Sequence, residues 1–98
     1  MWVNVWYTFR MKIHIRYFAS LREATGRGDE ILELPTGASV SDVRAMLVTR
    51  YAGLRAILER CLCAVNRAYV QPEAALHEGD ELVFIPPMGG GNAERGAE

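Results

Sequence analysis

The sequence predicts an α+β fold in which one main helix packs across one mixed β-sheet. Three observations carry that prediction. Ile13, Ile15 and Tyr17 alternate with Lys12, His14 and Arg16, the period-two pattern of a half-buried strand. Val40, Val43, Met46, Leu47, Tyr51 and Leu54 recur at helical spacing, which makes an apolar stripe that needs a surface to cover. The last apolar run, Leu82 to Ile85, is apolar on both faces and therefore belongs in a central or covered strand.

The first strand, MKIHIRYF from Met11, puts His14 on the polar face, where it reads as a solvated side chain. ASLREATG follows with helix-forming composition and Gly26 as its terminator, so a single short helical turn is expected. DEILELP is a second strand, stopped by Pro35 and near enough in sequence to pair antiparallel with the first. Ser39 with Asp42 three residues on has the form of a capping box and opens the main helix, Val40–Leu54. LRAILER adds a further helical turn before CLCAVN, an apolar run short enough to be a buried strand. Asn66 tolerates the left-handed conformation and suits a tight reversal into AYV. Glu78-Gly79-Asp80 supplies the turn into the final strand.

Ninety-eight residues allow one domain with a modest core and no room for a buried multi-residue catalytic cavity. Half the residues are apolar, 23% are charged and the formal net charge is −1, values ordinary for a soluble globular protein. Arginine outnumbers lysine ten to one among the 11 basic residues, a ratio that codon usage alone can produce. The arginines run from Arg10 to Arg95 among acidic residues and form no basic stripe, so nucleic acid is not an expected partner. Cys61 and Cys63 are too few and too close for a disulfide framework; they read as buried or half-buried thiols of a reducing cytoplasm, with no metal expected. MWVNVWYTFR has neither a basic leader nor a continuous apolar run, so residues 1–10 are expected to be an extension, neither signal peptide nor membrane span.

No nucleophile, base and orienting group come together. Ser20, Ser39 and Ser41 lie outside any G-x-S-x-G, and the three glycines open no phosphate loop. An enzyme acting alone is therefore not expected. What remains is the ending, FIPPMGGGNAERGAE. Pro86 and Pro87 hold the chain extended as it leaves the sheet, while Gly89, Gly90 and Gly91 have no Cβ to obstruct entry into a narrow channel. Residues 11–87 are expected as the domain and 88–98 as a flexible tail.

YFASLRE, AVNRAYV and LHEGDELVFIPPMGGG together resemble the small sulfur-carrier subunit of molybdopterin synthase, the MoaD family, from about Met11 to Gly91. The resemblance implies a ubiquitin-like β-grasp fold. It also implies a carrier cycle: an activating enzyme uses ATP to adenylate the carboxylate of Gly91, which follows Gly90 in the family's terminal pair. Sulfur then replaces the adenylate as a thiocarboxylate. The tail would enter the synthase large subunit, which supplies the catalytic groups, and pass sulfur to a pyranopterin precursor. Phe18, Tyr69 and Ile85 fall where the family carries apolar docking residues, Arg22 matches an arginine near that contact, and Pro86 and Pro87 precede the tail. No cofactor would be held by this chain itself.

Family carriers stop at the second glycine, whereas NAERGAE follows Gly91 here. Removal of residues 92–98 by a processing peptidase is therefore expected before activation. Two other readings share these features. One is a sulfur carrier or ubiquitin-like modifier of another pathway, such as cysteine, thiamine or tRNA thiolation. The other is an interaction module whose glycines serve as a linker.

Overall fold

In the computed structural model, residues 9–87 are described. Most of the expected N-terminal extension and the tail from Met88 onward, including Gly90 and Gly91, lie outside those residues. The element order is β1 (Arg10–Arg16), α1 (Ala19–Thr25), β2 (Asp29–Pro35), α2 (Val40–Arg50), α3 (Leu54–Glu59), β3 (Leu62–Val65), β4 (Ala68–Val70) and β5 (Glu81–Ile85).

The five strands form one sheet in the order β2-β1-β5-β3-β4. β1 pairs antiparallel with β2, and β3 pairs antiparallel with both β4 and β5. β1 and β5 are parallel, His14 facing Glu81 and Arg16 facing Val83. The sheet is mixed, as the element order implied, and the run apolar on both faces lies at its centre. This is the β-grasp arrangement expected from the resemblance.

Alternation decides which side chains reach the core. Met11, Ile13, Ile15 and Tyr17 from β1 and its exit, Leu32 and Leu34 from β2, Cys63 from β3, and Leu82 and Phe84 from β5 are all buried. Val40, Val43 and Leu47 of α2 cover them, joined by Leu21 of α1 and by Leu54 and Leu58 of α3. α2 starts with the expected capping box. Asp42 N–H donates to Ser39 Oγ at 3.2 Å, and Ser39 N–H donates to Asp42 Oδ2 at 2.9 Å. The β4–β5 connection completes the helix start, because Val40 N–H donates to Ala74 O and Ser41 N–H to Pro72 O, while Leu76 plugs the core beneath.

Two elements differ from expectation. α1 is a seven-residue helix of about two turns, ended as foreseen by Gly26 in the left-handed conformation at φ 77°. The helix expected over Val40–Leu54 ends at Arg50, and Leu54 opens α3 instead. Gly53, at φ 83°, turns the chain between them. Both segments place apolar residues on the sheet, so helical spacing continued across the break. The Asn66 turn is left-handed as expected, with Asn66 at φ 51° and Arg67 at φ 73°, and both are needed for the two-residue reversal between β3 and β4.

Leu47 has no exposed surface. Leu47→Ala should therefore cost roughly 2–5 kcal/mol, measurable as a lower urea midpoint; an unchanged midpoint would contradict the central place given to α2.

Candidate functional site

The face of the sheet opposite the helices is divided by chemistry. Strand register puts Tyr69, Ala64, Val83 and Arg16 in one row across β4, β3, β5 and β1. In the next row Leu62 faces Ile85, and the parallel register continued by two residues sets Phe18 beside Ile85. Tyr69 is 72% exposed, Leu62 60% and Phe18 45%, with Val83 and Ile85 half-buried between them. Side chains of this size left in water on adjacent strands make an apolar strip of the kind that partners cover.

Phe18 reaches this face because Tyr17 before it turns into the core. Tyr17 O–H donates to Glu30 Oε1 at 2.8 Å. The next residue then points outward, with extended backbone at the start of α1 and its ring 5.7 Å from the Arg16 guanidinium carbon.

Toward β2 and the start of β5 the face is polar, and its charged and polar side chains pair with one another. His14 Nε2 and Asp29 Oδ2 are 2.9 Å apart, Arg16 and Glu81 3.3 Å, and Arg10 and Glu33 3.7 Å. Ile31 is 66% exposed there, but its strand neighbours on that face, Asp29 and Glu33, are charged. His14 stays on the polar face as expected, its side chain partly exposed and hydrogen-bonded to Asp29.

Phe18, Tyr69 and Ile85 are therefore brought onto one face. Pro86 and Pro87 line a separate groove of about 270 Å3 with Ser20, Ala56, Ile57 and Arg60, where the chain leaves β5. Arg22 stands apart from both, exposed on α1 beside Glu23, Gly26, Arg27 and Gly28. Gly90 and Gly91 lie outside the described residues.

Leu62 is the docking candidate that sequence reasoning missed. CLCAVN reads as a buried run, and Cys61, Cys63 and Ala64 are indeed buried, but Leu62 points away from the core. Period-two spacing from Cys63 was the available signal. Leu62 and Tyr69 line one shallow depression with Val70 and Gln71.

Both thiols are shut away from solvent. Cys61 and Cys63 are free and buried. Burial, reinforced by the neighbouring Cys63, pushes the Cys61 thiol up to about 11, so it stays protonated at neutral pH. Cys63 Sγ accepts from Arg44 Nη2 at 3.4 Å. Among the described residues no group of three His, Cys, Asp or Glu side chains could hold a metal ion, and no helix is long and apolar enough to cross a membrane. The arrangement can bind a partner and present whatever follows Pro87.

Comparison with known proteins agrees with this geometry. Residues 15–91 match the ThiS family. A molybdopterin synthase sulfur carrier subunit of Chlamydomonas reinhardtii is 37% identical over 83 residues, covering 83% of this chain and 100% of the relative. Among solved structures, the putative molybdopterin converting factor subunit 1 of Pyrococcus furiosus superposes with a TM-score of 0.73 at 29% identity, covering 80% of this chain and 99% of that one. A chain from the complex of subunits 1 and 2 of the Helicobacter pylori molybdopterin-converting factor has a TM-score of 0.58 at 24% identity, with coverage of 83% and 100%. The fold is the ubiquitin-like β-grasp.

Proposed function

The chain belongs to the ThiS family, and from that membership we infer that it is the sulfur-carrier subunit of molybdopterin synthase. The observation that carries the reading is the layout of the outer face. An apolar strip of Phe18, Leu62, Tyr69 and Ile85 ends where Pro86 and Pro87 send the chain toward the glycines. A partner seated on that strip stands beside the tail root. The four residues from Met88 to Gly91 span on the order of 13 Å when extended, enough to carry a terminal group into a partner's cavity.

The carrier cycle asks little chemistry of the domain. A partner activating enzyme joins the Gly91 carboxylate to AMP from ATP, which makes a good leaving group. A sulfur donor displaces AMP and leaves a thiocarboxylate. The synthase large subunit then takes the tail and directs sulfur to its pterin substrate. This chain supplies the docking strip, the thin tail and the sulfur, and holds no cofactor of its own. Its two buried free thiols suit a reducing cytoplasm.

NAERGAE blocks this cycle while it remains attached, because Gly91 then has no free carboxylate. The segment is polar and has no apolar anchor, a composition open to proteolysis. A chain ending at Gly91, incubated with the activating enzyme, ATP and a sulfur source, should gain the mass of one oxygen-for-sulfur exchange. The full-length chain should gain none. Sulfur loading of the full-length chain with Glu98 still attached would overturn the assignment of Gly91 as the working terminus.

A further inference from the structure

Phe18 stands at a point where the backbone is held under strain. β1 ends at Arg16, so Tyr17 and Phe18 lie beyond the sheet ladder. Ala19 follows at φ 50°, in the left-handed region, where a Cβ crowds the following carbonyl. Alanine has no polar side chain to offset this by a local hydrogen bond, as asparagine would. Relaxation of Ala19 would redirect the chain on either side of it, Phe18 included. Such a conformation persists only where its surroundings over-determine it.

The anchor after the turn is α1. Leu21 has no exposed surface, and its N–H donates to Phe18 O at 3.0 Å. The anchor before it is Tyr17. Its N–H donates to Gly28 O at 2.9 Å, its ring is buried edge-on against Tyr51 with the centroids 6.5 Å apart, and its hydroxyl donates to Glu30 Oε1 at 2.8 Å. The hydroxyl bond fixes the far end of the side chain. Glu30 is itself held from the opposite side, by Arg50 Nη1 at 2.6 Å and the Tyr51 hydroxyl at 2.7 Å, so the acceptor does not yield. A hydrogen bond to a buried, charged acceptor is among the stronger bonds a side chain makes.

We propose that the Tyr17 hydroxyl, through its bond to Glu30, is a positioning group for docking: it holds the strained Ala19 turn in the form that presents Phe18 beside Ile85. The inference rests on the docking strip of the sulfur-carrier reading. Tyr17 is buried and reaches no partner itself, so its influence on binding passes through Phe18. Without the hydroxyl, the turn relaxes in a share of the molecules and only the remainder present Phe18. Apparent affinity then falls in proportion to the competent fraction. Tyr17→Phe keeps the ring and removes one oxygen, so the core stays filled. Tyr51→Phe is the matched control, because it takes the other hydroxyl from the same Glu30 oxygen but on the far side of the network, at the end of α2.

The full chain is titrated calorimetrically against the synthase large subunit as wild type, Tyr17→Phe, Tyr51→Phe, Phe18→Ala and the double variant Tyr17→Phe with Phe18→Ala, with thermal unfolding followed in parallel. Both tyrosine variants should unfold at lower temperature. Only Tyr17→Phe should also bind more weakly, by about tenfold, the bias that a hydrogen bond to a charged group exerts on a local equilibrium. In the Phe18→Ala background the same change should cost no further affinity, since the side chain through which it acts is gone. Unchanged binding by Tyr17→Phe, an equal loss for Tyr51→Phe, or a loss that persists without the Phe18 ring would overturn the proposal and leave the docking strip standing. Wild-type binding by Phe18→Ala would instead overturn the place of Phe18 in the strip, and the positioning role with it.

Discussion

Ile85→Lys should abolish binding of the synthase large subunit while the domain stays folded. Ile85 is at the centre of the apolar strip, opposite Leu62 and beside Phe18 by register, and is the last strand residue before the tail root. A lysine there would bring an unpaired ammonium into the desolvated middle of an interface, where single substitutions have their largest effects. A loss of at least about a hundredfold in affinity is expected, equivalent to about 2.7 kcal/mol. Leu62→Lys should act alike. Ile31→Lys is the matched control, since Ile31 is as exposed as Leu62 on the same sheet face but is surrounded by charges at the far edge. Calorimetric titration of the three variants against the large subunit, with thermal unfolding in parallel, decides the matter. Undiminished binding by Ile85→Lys, or equal loss for Ile31→Lys, would remove the strip as the docking site.

The second large effect is expected at Glu30, a carboxylate only 8% exposed. Its Oε1 accepts from the hydroxyls of Tyr17 at 2.8 Å and Tyr51 at 2.7 Å, and its Oε2 pairs with Arg50 Nη1 at 2.6 Å. Burial opposes ionisation here, but the two hydroxyls, Arg27 and Arg50 outweigh it and hold Glu30 below the usual carboxylate range. Burial and the bond to Glu30 push the Tyr17 phenol the other way, well above its ordinary value, so it remains a donor. Glu30→Ala would leave two hydroxyls and a guanidinium without their acceptor, at a cost of about 3 kcal/mol. A carboxylate whose folded-state pKa is depressed stabilises the fold fully above its unfolded-state value of about 4.3. That contribution disappears as pH falls through the lower folded-state value. Urea midpoints of the wild type should therefore fall steeply below about pH 4.3, whereas Glu30→Gln, which cannot titrate, should lack that part of the slope. Parallel pH profiles for the two proteins would show that Glu30 does not carry this linkage.

This network also marks where sequence reading stopped. DEILELP was legible as a strand, and its period-two spacing puts Glu30 on the face of Leu32 and Leu34. That spacing was the available signal. Tyr51 was legible as a core residue from helical spacing, and it does pack against the core at half burial. What neither pattern contains is that the end of α2 passes over the start of β2, so that Arg50 and Tyr51 meet a carboxylate 20 and 21 residues away. The break after Arg50 was equally hidden, because both helices present apolar residues at compatible spacing and only the left-handed turn at Gly53 separates them.

Features that depend on near neighbours are legible in the chain before it folds. The alternation of β1, the Ser39–Asp42 capping box, the glycine end of α1 and the Asn66 reversal are written in residues a few positions apart, where sterics and local hydrogen bonds leave little choice. The family motif, too, is a linear string ending in glycines. Which face of the sheet the helices cover, and so which apolar residues remain outside, became clear only in the folded chain. Leu62 and Cys63 are adjacent and both apolar, yet one is exposed and one buried, because pleating sends them to opposite faces and helices cover only one of those faces. In the same way Phe18, Leu62, Tyr69 and Ile85 become a single surface only when β1, β3, β4 and β5 are laid side by side. The Asn66 turn sets the register of β4 on β3 locally, but the pairing of β1 and β3 with β5 joins segments far apart in sequence and is held by burial of the opposite face.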